Sequence, residues 1–126
     1  MGAVDTNILV RLITRDNAQQ AEIADYFIEK GAWVSTLALA EATWVLRKTY
    51  GLNAADVASA VEMLLKHRDL VLQDSDAVAA GLELFRSQPS LGFSDCLMLH
   101  LARKAGHLPL GTFDRVLGRV EGTQKL

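Results

Sequence analysis

Apolar and polar residues follow each other along the chain in a pattern that predicts short strands separated by longer helices. A helix is predicted to begin near Asn7, directly after a first apolar stretch. Helical spacing of apolar residues then recurs over segments 16–30, 37–50, 53–67, 74–87 and 94–104. Short apolar runs, typical of strands, occupy segments 3–6, 33–35, 70–72 and 108–111. A last short helix is predicted to begin at Asp114.

Capping residues support several of these boundaries. Asn53 is a good N-cap with Asp56 in the following turn, and Ser94 is the predicted N-cap of the sixth helix. Short strands that alternate with helices indicate parallel strands joined by helical crossovers. The prediction is therefore one α/β domain over residues 1–126, a three-layer α/β/α fold with a short central parallel sheet.

Composition narrows the class of protein. With 126 residues and a net charge of −2, the chain has the length of one domain and lacks the basic excess of a sequence-blind nucleic-acid binder. The single cysteine, Cys96, cannot form an intrachain disulfide. Neither a signal peptide nor an apolar run long enough to cross a bilayer is present, so we expect a cytoplasmic protein.

Four acidic residues fall on apolar surfaces that should be packed. Asp5 lies between Val4 and Ile8, and Glu41 shares a helix face with Leu37 and Trp44. The other two are Asp95, on a face with Met98 and Leu99, and Asp114, on a face with Leu117. Any one of them alone could be an N-cap or a buried ion pair. Together, with Asp5 ending the first strand and Asp114 following the fourth, they predict a site at the carboxyl ends of the strands.

Clustered carboxylates repel each other, which raises their pKa values unless a cation neutralises them. Oxygen ligands without histidine or cysteine favour Mg²⁺ or Mn²⁺ over zinc. Two such ions, typically ~3.5–4 Å apart, can activate water and stabilise the leaving oxygen in phosphodiester hydrolysis. The residues themselves thus predict a metal-dependent hydrolase of phosphodiesters.

The acids belong to four short motifs: Val4-Asp5-Thr6-Asn7-Ile8-Leu9, Ala40-Glu41, Phe93-Ser94-Asp95 and Gly111-Thr112-Phe113-Asp114. In their order and spacing, and over essentially the whole chain, these motifs resemble those of PIN-domain nucleases. The closest resemblance is to the VapC ribonuclease toxins of bacterial and archaeal toxin–antitoxin pairs. One departure is Gly2, which stands where an apolar strand residue is usual.

The resemblance implies a parallel sheet between helices, Mg²⁺ or Mn²⁺ as cofactor, and endonucleolytic cleavage of RNA. It makes Asp5, Glu41, Asp95 and Asp114 the catalytic, metal-binding acids. Polar residues that orient the acids and water would be Thr6, Asn7, Ser94 and Thr112. It also implies a homodimer or larger assembly and a cognate VapB-like antitoxin as partner.

Basic residues near the motifs are candidates for RNA phosphate contacts, with Arg11, Arg15 and Arg115 ranked first. Two other functions remain open. One is a PIN-type nuclease in RNA processing or DNA-end cleavage that has no antitoxin. The other is a non-catalytic, magnesium-binding receiver-like module, which the absence of lysine between Leu108 and Thr112 disfavours.

Overall fold

Short parallel strands alternate with helices through the first part of the chain. The structure is a computed structural model that describes residues 1–126. The chain divides into two compact units, Met1–Ser75 and Asp76–Leu126. The first unit contains β1 (Gly2–Ala3), α1 (Thr6–Thr14), α2 (Ala18–Ile28), β2 (Ala32–Val34), α3 (Thr36–Lys48), α4 (Ala54–Lys66) and β3 (Leu70–Leu72).

The three strands of the first unit form one parallel sheet in the order β1-β2-β3. Alternate residues point to opposite faces of a strand, and β2 accordingly buries Ala32 and Val34 while it exposes Trp33. Trp33 lies in register with Ala3 on β1 and Val71 on β3, which are also exposed. One face of this sheet therefore belongs to the core and the other carries exposed apolar residues.

Gly2 in β1 has a local packing explanation. A Cβ atom at this position would lie 2.9 Å from Cζ of Phe27, which is closer than real Cβ contacts. The aromatic ring thus occupies the space over the strand that a larger residue would need. The departure of Gly2 from the usual apolar residue is compensated by a side chain from α2.

Side-chain caps fix where the helices of the first unit begin. Asp5, Asn17, Ser35 and Asn53 each accept a hydrogen bond from the backbone N–H three residues later. Such a cap satisfies one of the backbone donors that a helix leaves unpaired at its N-terminus. Asn53 is the cap that the sequence predicts, and β3 has the predicted bounds.

The second unit is built from two long helices followed by a small sheet. It contains α5 (Ser75–Ser87, beginning at the last residue of the first unit), α6 (Phe93–Ala105), β4 (Leu110–Thr112), a 3₁₀ turn (Leu117–Arg119) and β5 (Thr123–Lys125). The rings of Phe85 and Phe93 meet edge to face with centroids 6.0 Å apart. Gly81 lets α5 approach α6 closely, since a Cβ there would lie 3.2 Å from Cα of Leu97.

Two predictions are wrong in this unit. Ser94 is not the N-cap of α6: Gly92 occupies that position without a side-chain hydrogen bond, and Ser94 is the second residue of the helix. The fourth strand does not join the first three. It runs from Leu110 to Thr112 and pairs in parallel with β5, a strand absent from the prediction.

The predicted α/β class is confirmed, with six helices and a short parallel sheet of three strands. Helix bounds differ from the predicted ones mainly at the C-terminal ends, where α2 and α3 finish before Gly31 and Gly51. Both glycines have positive φ and lie in the connections that follow the helices. No helix is long and apolar enough to cross a membrane.

Candidate functional site

The first unit places Asp5, Thr6 and Glu41 together through helices α1 and α3. Thr6 is the first residue of α1, and its hydroxyl Oγ1 donates a 2.7 Å hydrogen bond to Glu41 Oε2. Asp5 precedes Thr6 and caps α1, its Oδ1 accepting from Ile8 N at 3.1 Å. Capping uses one carboxylate oxygen of Asp5, so the second oxygen remains available to a ligand. The packing of α1 on α3 therefore orients one predicted acid, Glu41, through the residue that follows another, Asp5.

A cavity of about 400 Å³ opens beside Asp5. Its lining also includes Asn7 and the side chain of Arg11. Arg11 is held in place by Gln20, by the Tyr50 hydroxyl at 3.0 Å and by an ion pair with Asp16 at 3.4 Å. The lining thus combines one carboxylate, two amides (Asn7 and Gln20) and one guanidinium.

Arg11 and Arg15 both have acidic partners within the first unit. Arg15 makes two hydrogen bonds to Asp25, at 3.2 and 2.6 Å, and they lower the pKa of the Asp25 carboxyl. Arg115, in the second unit, is exposed and forms no ion pair. Among the three arginines predicted to contact phosphate, only Arg115 could bind a phosphate without breaking an intramolecular ion pair.

Asp95 and Asp114 form the acid pair of the second unit. Asp95 lies in the first turn of α6, where the helix dipole favours a negative charge. Burial nevertheless raises the pKa of its carboxyl, and the nearby negative charge of Asp114 raises it further. The repulsion expected between clustered carboxylates is therefore found for this pair.

Thr112 and Asp114 fix the turn that follows β4. The backbone N–H of Asp114 donates to Thr112 Oγ1 at 3.0 Å, and Asp114 Oδ1 accepts from Leu117 N at 2.7 Å. Asp114 thus accepts a hydrogen bond from the first residue of the 3₁₀ turn, which lies close to the short helix that the sequence predicts there. The contact of Thr112 is to the backbone of Asp114, and Ser94 is half-buried in the first turn of α6.

Burial of the acids differs from the sequence prediction. Asp5, Glu41 and Asp114 are exposed, and only Asp95 is partly buried. The reason is clearest on α3: Leu37 is 68% and Trp44 60% exposed, so the apolar face that carries Glu41 does not face the core. Helical spacing identified the residues that share this face, but the face itself lies toward solvent.

Cys96 adjoins the acid pair and is fully buried. Burial, and after it the negative charge of Asp95, raises the pKa of the thiol to about 11. A thiol with such a pKa stays protonated at neutral pH and is a poor nucleophile. Cys96 is therefore a small core residue, and the chemistry of this unit is left to the carboxylates.

The acid pairs have the donor chemistry of a magnesium or manganese site. No group of three or more His, Cys, Asp or Glu side chains is arranged to hold a metal ion. Mg²⁺, however, keeps several waters and commonly binds proteins through only one or two carboxylates. The pair Asp95 and Asp114 fits such a hydrated ion, because a nearby cation would offset both the burial and the repulsion by Asp114 that raise the pKa of Asp95.

Phe113 is a residue that the sequence reasoning passed over. It stands between Thr112 and Asp114, and its side chain is 81% exposed. The sequence did contain a signal that this residue is exposed. A large aromatic residue in a turn between two polar site residues has no helix or strand face through which to join the core. The ring lies in the same turn as one of the predicted acids.

Comparison with known families agrees with this architecture. The PIN domain family matches residues 3–122, which is nearly the whole chain. The chain matches no curated protein and no solved structure at a significant level. PIN domains are typically nucleases that depend on divalent metal ions. The family match covers all four predicted acids, and the chain belongs to the PIN-domain family.

Proposed function

We propose that this protein is a metal-dependent endoribonuclease and the toxin of a toxin–antitoxin pair. The observation that carries the nuclease proposal is the pair Asp95 and Asp114, two mutually repelling carboxylates in a chain of the PIN-domain family. RNA as the substrate is favoured by the resemblance of the four motifs to those of VapC toxins.

In this proposal the four acids are metal ligands. Asp95 and Asp114 are the ligand pair of the second unit, and Asp5 and Glu41 are those of the first. A bound Mg²⁺ or Mn²⁺ supplies the positive charge that activates water and stabilises the leaving oxygen of the cleaved phosphodiester. Thr112 holds the backbone of Asp114, and Thr6 orients Glu41. The protein contributes orientation and negative charge, and none of its side chains needs to act as a nucleophile.

Cleavage of total cellular RNA by the purified protein tests the nuclease proposal. Discrete fragments that form in Mg²⁺ or Mn²⁺ and vanish with Asp95→Asn would support it, and mapping their ends would identify the target. Single-stranded and double-stranded DNA are incubated in parallel. Cleavage of DNA alone would overturn the RNA assignment, and undiminished cleavage by the Asp95→Asn variant would overturn the site.

The toxin role predicts a protein partner, and exposed apolar side chains support one. On α3, Leu37 and Trp44 lie on one face, and on α2 Ile23 and Phe27 share another; all four are at least half exposed. Apolar patches of this kind commonly mark protein–protein interfaces. We propose an antitoxin as one occupant and a second copy of the chain as another, consistent with a dimeric toxin.

Growth of a bacterial culture after induced expression tests the toxin role. Expression of the wild-type protein should arrest growth, whereas the Asp95→Asn variant at equal abundance should not. Co-expression of a small protein encoded beside the gene should restore growth and co-purify with the toxin. Normal growth with abundant, RNA-cleaving protein would contradict the toxin role and leave the nuclease proposal intact.

Thr6 is expected to be a positioning residue for Glu41. Thr6→Val removes the 2.7 Å hydrogen bond but keeps the shape of the side chain, so Glu41 loses its fixed orientation. Loss of a partner that orients a metal ligand typically costs about 10–100-fold in activity or metal affinity. We expect a decrease of about tenfold in kcat/KM for RNA, and recovery with Thr6→Ser.

Thr14→Val is the matched control, because Thr14 ends the same helix and its hydroxyl bonds to Val10 O and Asp16. Cleavage rates should match the wild type in this variant even if its melting temperature falls. Equal losses in the valine and serine variants of Thr6 would show that the hydroxyl has no orienting role.

A further inference from the structure

Phe113 is the most exposed large apolar side chain of the protein, at 81% of its free surface. Burial of a phenylalanine ring stabilises the folded state of a protein, and a ring that stays in water contributes no such stabilisation. The fold therefore derives little from the ring itself. Its position, between the last residue of β4 and the acidic residue Asp114, indicates a role outside the core.

The backbone around Phe113 is well fixed on both sides. Asp114 N donates to Thr112 Oγ1 at 3.0 Å, which ties together the two residues that flank the ring. Leu117 N donates to Asp114 Oδ1 at 2.7 Å, and Gly118 N donates to Asp114 O at 2.9 Å. The exposed ring is thus presented from an ordered turn, so little conformational entropy would be lost on binding.

The charges next to the ring suit a nucleic acid better than a protein interface. Asp114 belongs to the acid pair, and Arg115 is exposed and free of ion pairs. Protein interfaces are enriched in aromatic residues and arginine, but they are depleted in acidic residues such as Asp114. Sites for single-stranded nucleic acids instead combine aromatic rings, on which bases stack, with basic side chains that contact the backbone.

We propose that Phe113 stacks against an unpaired base of single-stranded RNA bound beside Asp114, with Arg115 contacting an adjacent phosphate. The inference rests on the proposed nuclease function and assigns a positioning role to a residue outside the four acids. Stacking on an aromatic side chain tolerates any base. Phe113 would therefore contribute affinity and positioning for RNA without reading its sequence.

Binding of two probes tests the proposal. One is a fluorescein-labelled ten-nucleotide oligoadenylate, and the other is an abasic sugar–phosphate oligomer of the same length and charge. Affinities are measured by fluorescence anisotropy in Mg²⁺ with full-length protein that carries Asp95→Asn, so that the probes stay intact. In this background the added change Phe113→Ala should weaken oligoadenylate binding about tenfold and leave the abasic probe unchanged.

Two further substitutions of Phe113 and one control variant test whether an aromatic ring at this position is required. Phe113→Trp should retain oligoadenylate binding, whereas Phe113→Leu, which is apolar but cannot stack as an aromatic ring, should behave like Phe113→Ala. Tyr26→Ala is the matched control, since Tyr26 is 78% exposed but lies on α2 of the first unit. It should alter neither affinity. Retained affinity in Phe113→Leu would overturn the proposal, as would equal affinity of the starting protein for both probes.

Failure of this inference can be separated from failure of the proposed function. If wild-type protein cleaves RNA but Phe113→Ala does not change oligoadenylate binding, only the stacking role is wrong. If Phe113→Ala leaves both RNA affinities unchanged and abolishes self-association in sedimentation experiments, the ring belongs to a protein interface. Base-dependent binding by a protein that cleaves no RNA would retain the stacking role and overturn the nuclease assignment.

Discussion

Asp95→Asn is expected to reduce RNA cleavage by at least about 100-fold and to stabilise the fold at neutral pH. The loss of activity follows from removing a charged ligand of the proposed metal, and a single group acting on transition-state charge is commonly worth about 10²–10³ in kcat. The gain in stability follows from electrostatics. Burial and the charge of Asp114 both disfavour the ionised carboxylate, and asparagine carries no charge.

The pH dependence of stability identifies this electrostatic cause. Because the pKa of Asp95 is raised in the folded protein, its contribution to stability is fully present below the unfolded-state pKa. That contribution is lost as the pH rises through the folded-state pKa. Without metal, the variant should melt at a higher temperature than the wild type at pH 7, and the difference should shrink toward pH 3.5. Thermal unfolding in EDTA across this range measures both effects.

Asp56→Asn is the matched control for this substitution. Asp56 also lies in the first turn of a long helix, α4, but it is exposed. Its replacement should leave RNA cleavage unchanged and lower stability slightly, by about 0.3–1 kcal/mol, because a favourable interaction with the helix dipole is lost. If Asp95→Asn destabilised the fold at pH 7, the carboxylate would have to make a stabilising contact that outweighs its burial and repulsion.

The elements that were predictable from the sequence are those with local signals. The cap at Asn53 and the apolar run Leu70–Leu72 depend on neighbouring residues, and both were found as predicted. Strand β5 was missed because Thr123–Lys125 is short and polar. Its pairing with Leu110–Thr112 is a contact between distant residues, which no local pattern specifies.

The candidate site shows the same division between local and non-local information. Helical spacing correctly placed Leu37, Glu41 and Trp44 on one face of α3, but it could not tell whether that face was buried. The hydrogen bond from Thr6 to Glu41 joins residues 35 positions apart and depends on the packing of α1 against α3. The sequence predicted raised pKa values for acids that cluster; the structure shows a raised pKa for Asp95, caused first by burial and then by the charge of Asp114.

Removal of divalent metal is expected to abolish RNA cleavage and to lower the melting temperature of the wild-type protein. A ligand that binds only the folded state stabilises it by RT ln(1 + [L]/Kd), which is about 2.7 kcal/mol at one hundred times Kd. Calorimetric scans in EDTA and in increasing Mg²⁺ or Mn²⁺ measure this shift. Each scan is matched in ionic strength with KCl, because salt alone also screens the repulsion between Asp95 and Asp114.

Comparison of Mg²⁺ with matched KCl separates binding of metal from screening, and the Asp95→Asn variant shows whether the effect depends on this acid. The variant should start from the higher melting temperature in EDTA and gain little from Mg²⁺, so that the two proteins converge as the wild type takes up metal. If Mg²⁺ and matched KCl raised the wild-type melting temperature equally, the acids would not bind metal under these conditions. Cleavage that persisted in EDTA would contradict the metal-dependent mechanism outright. A Mg²⁺ shift that exceeds the shift in matched KCl, and that is abolished by Asp95→Asn and also by Asp114→Asn, would instead assign the ion to this carboxylate pair.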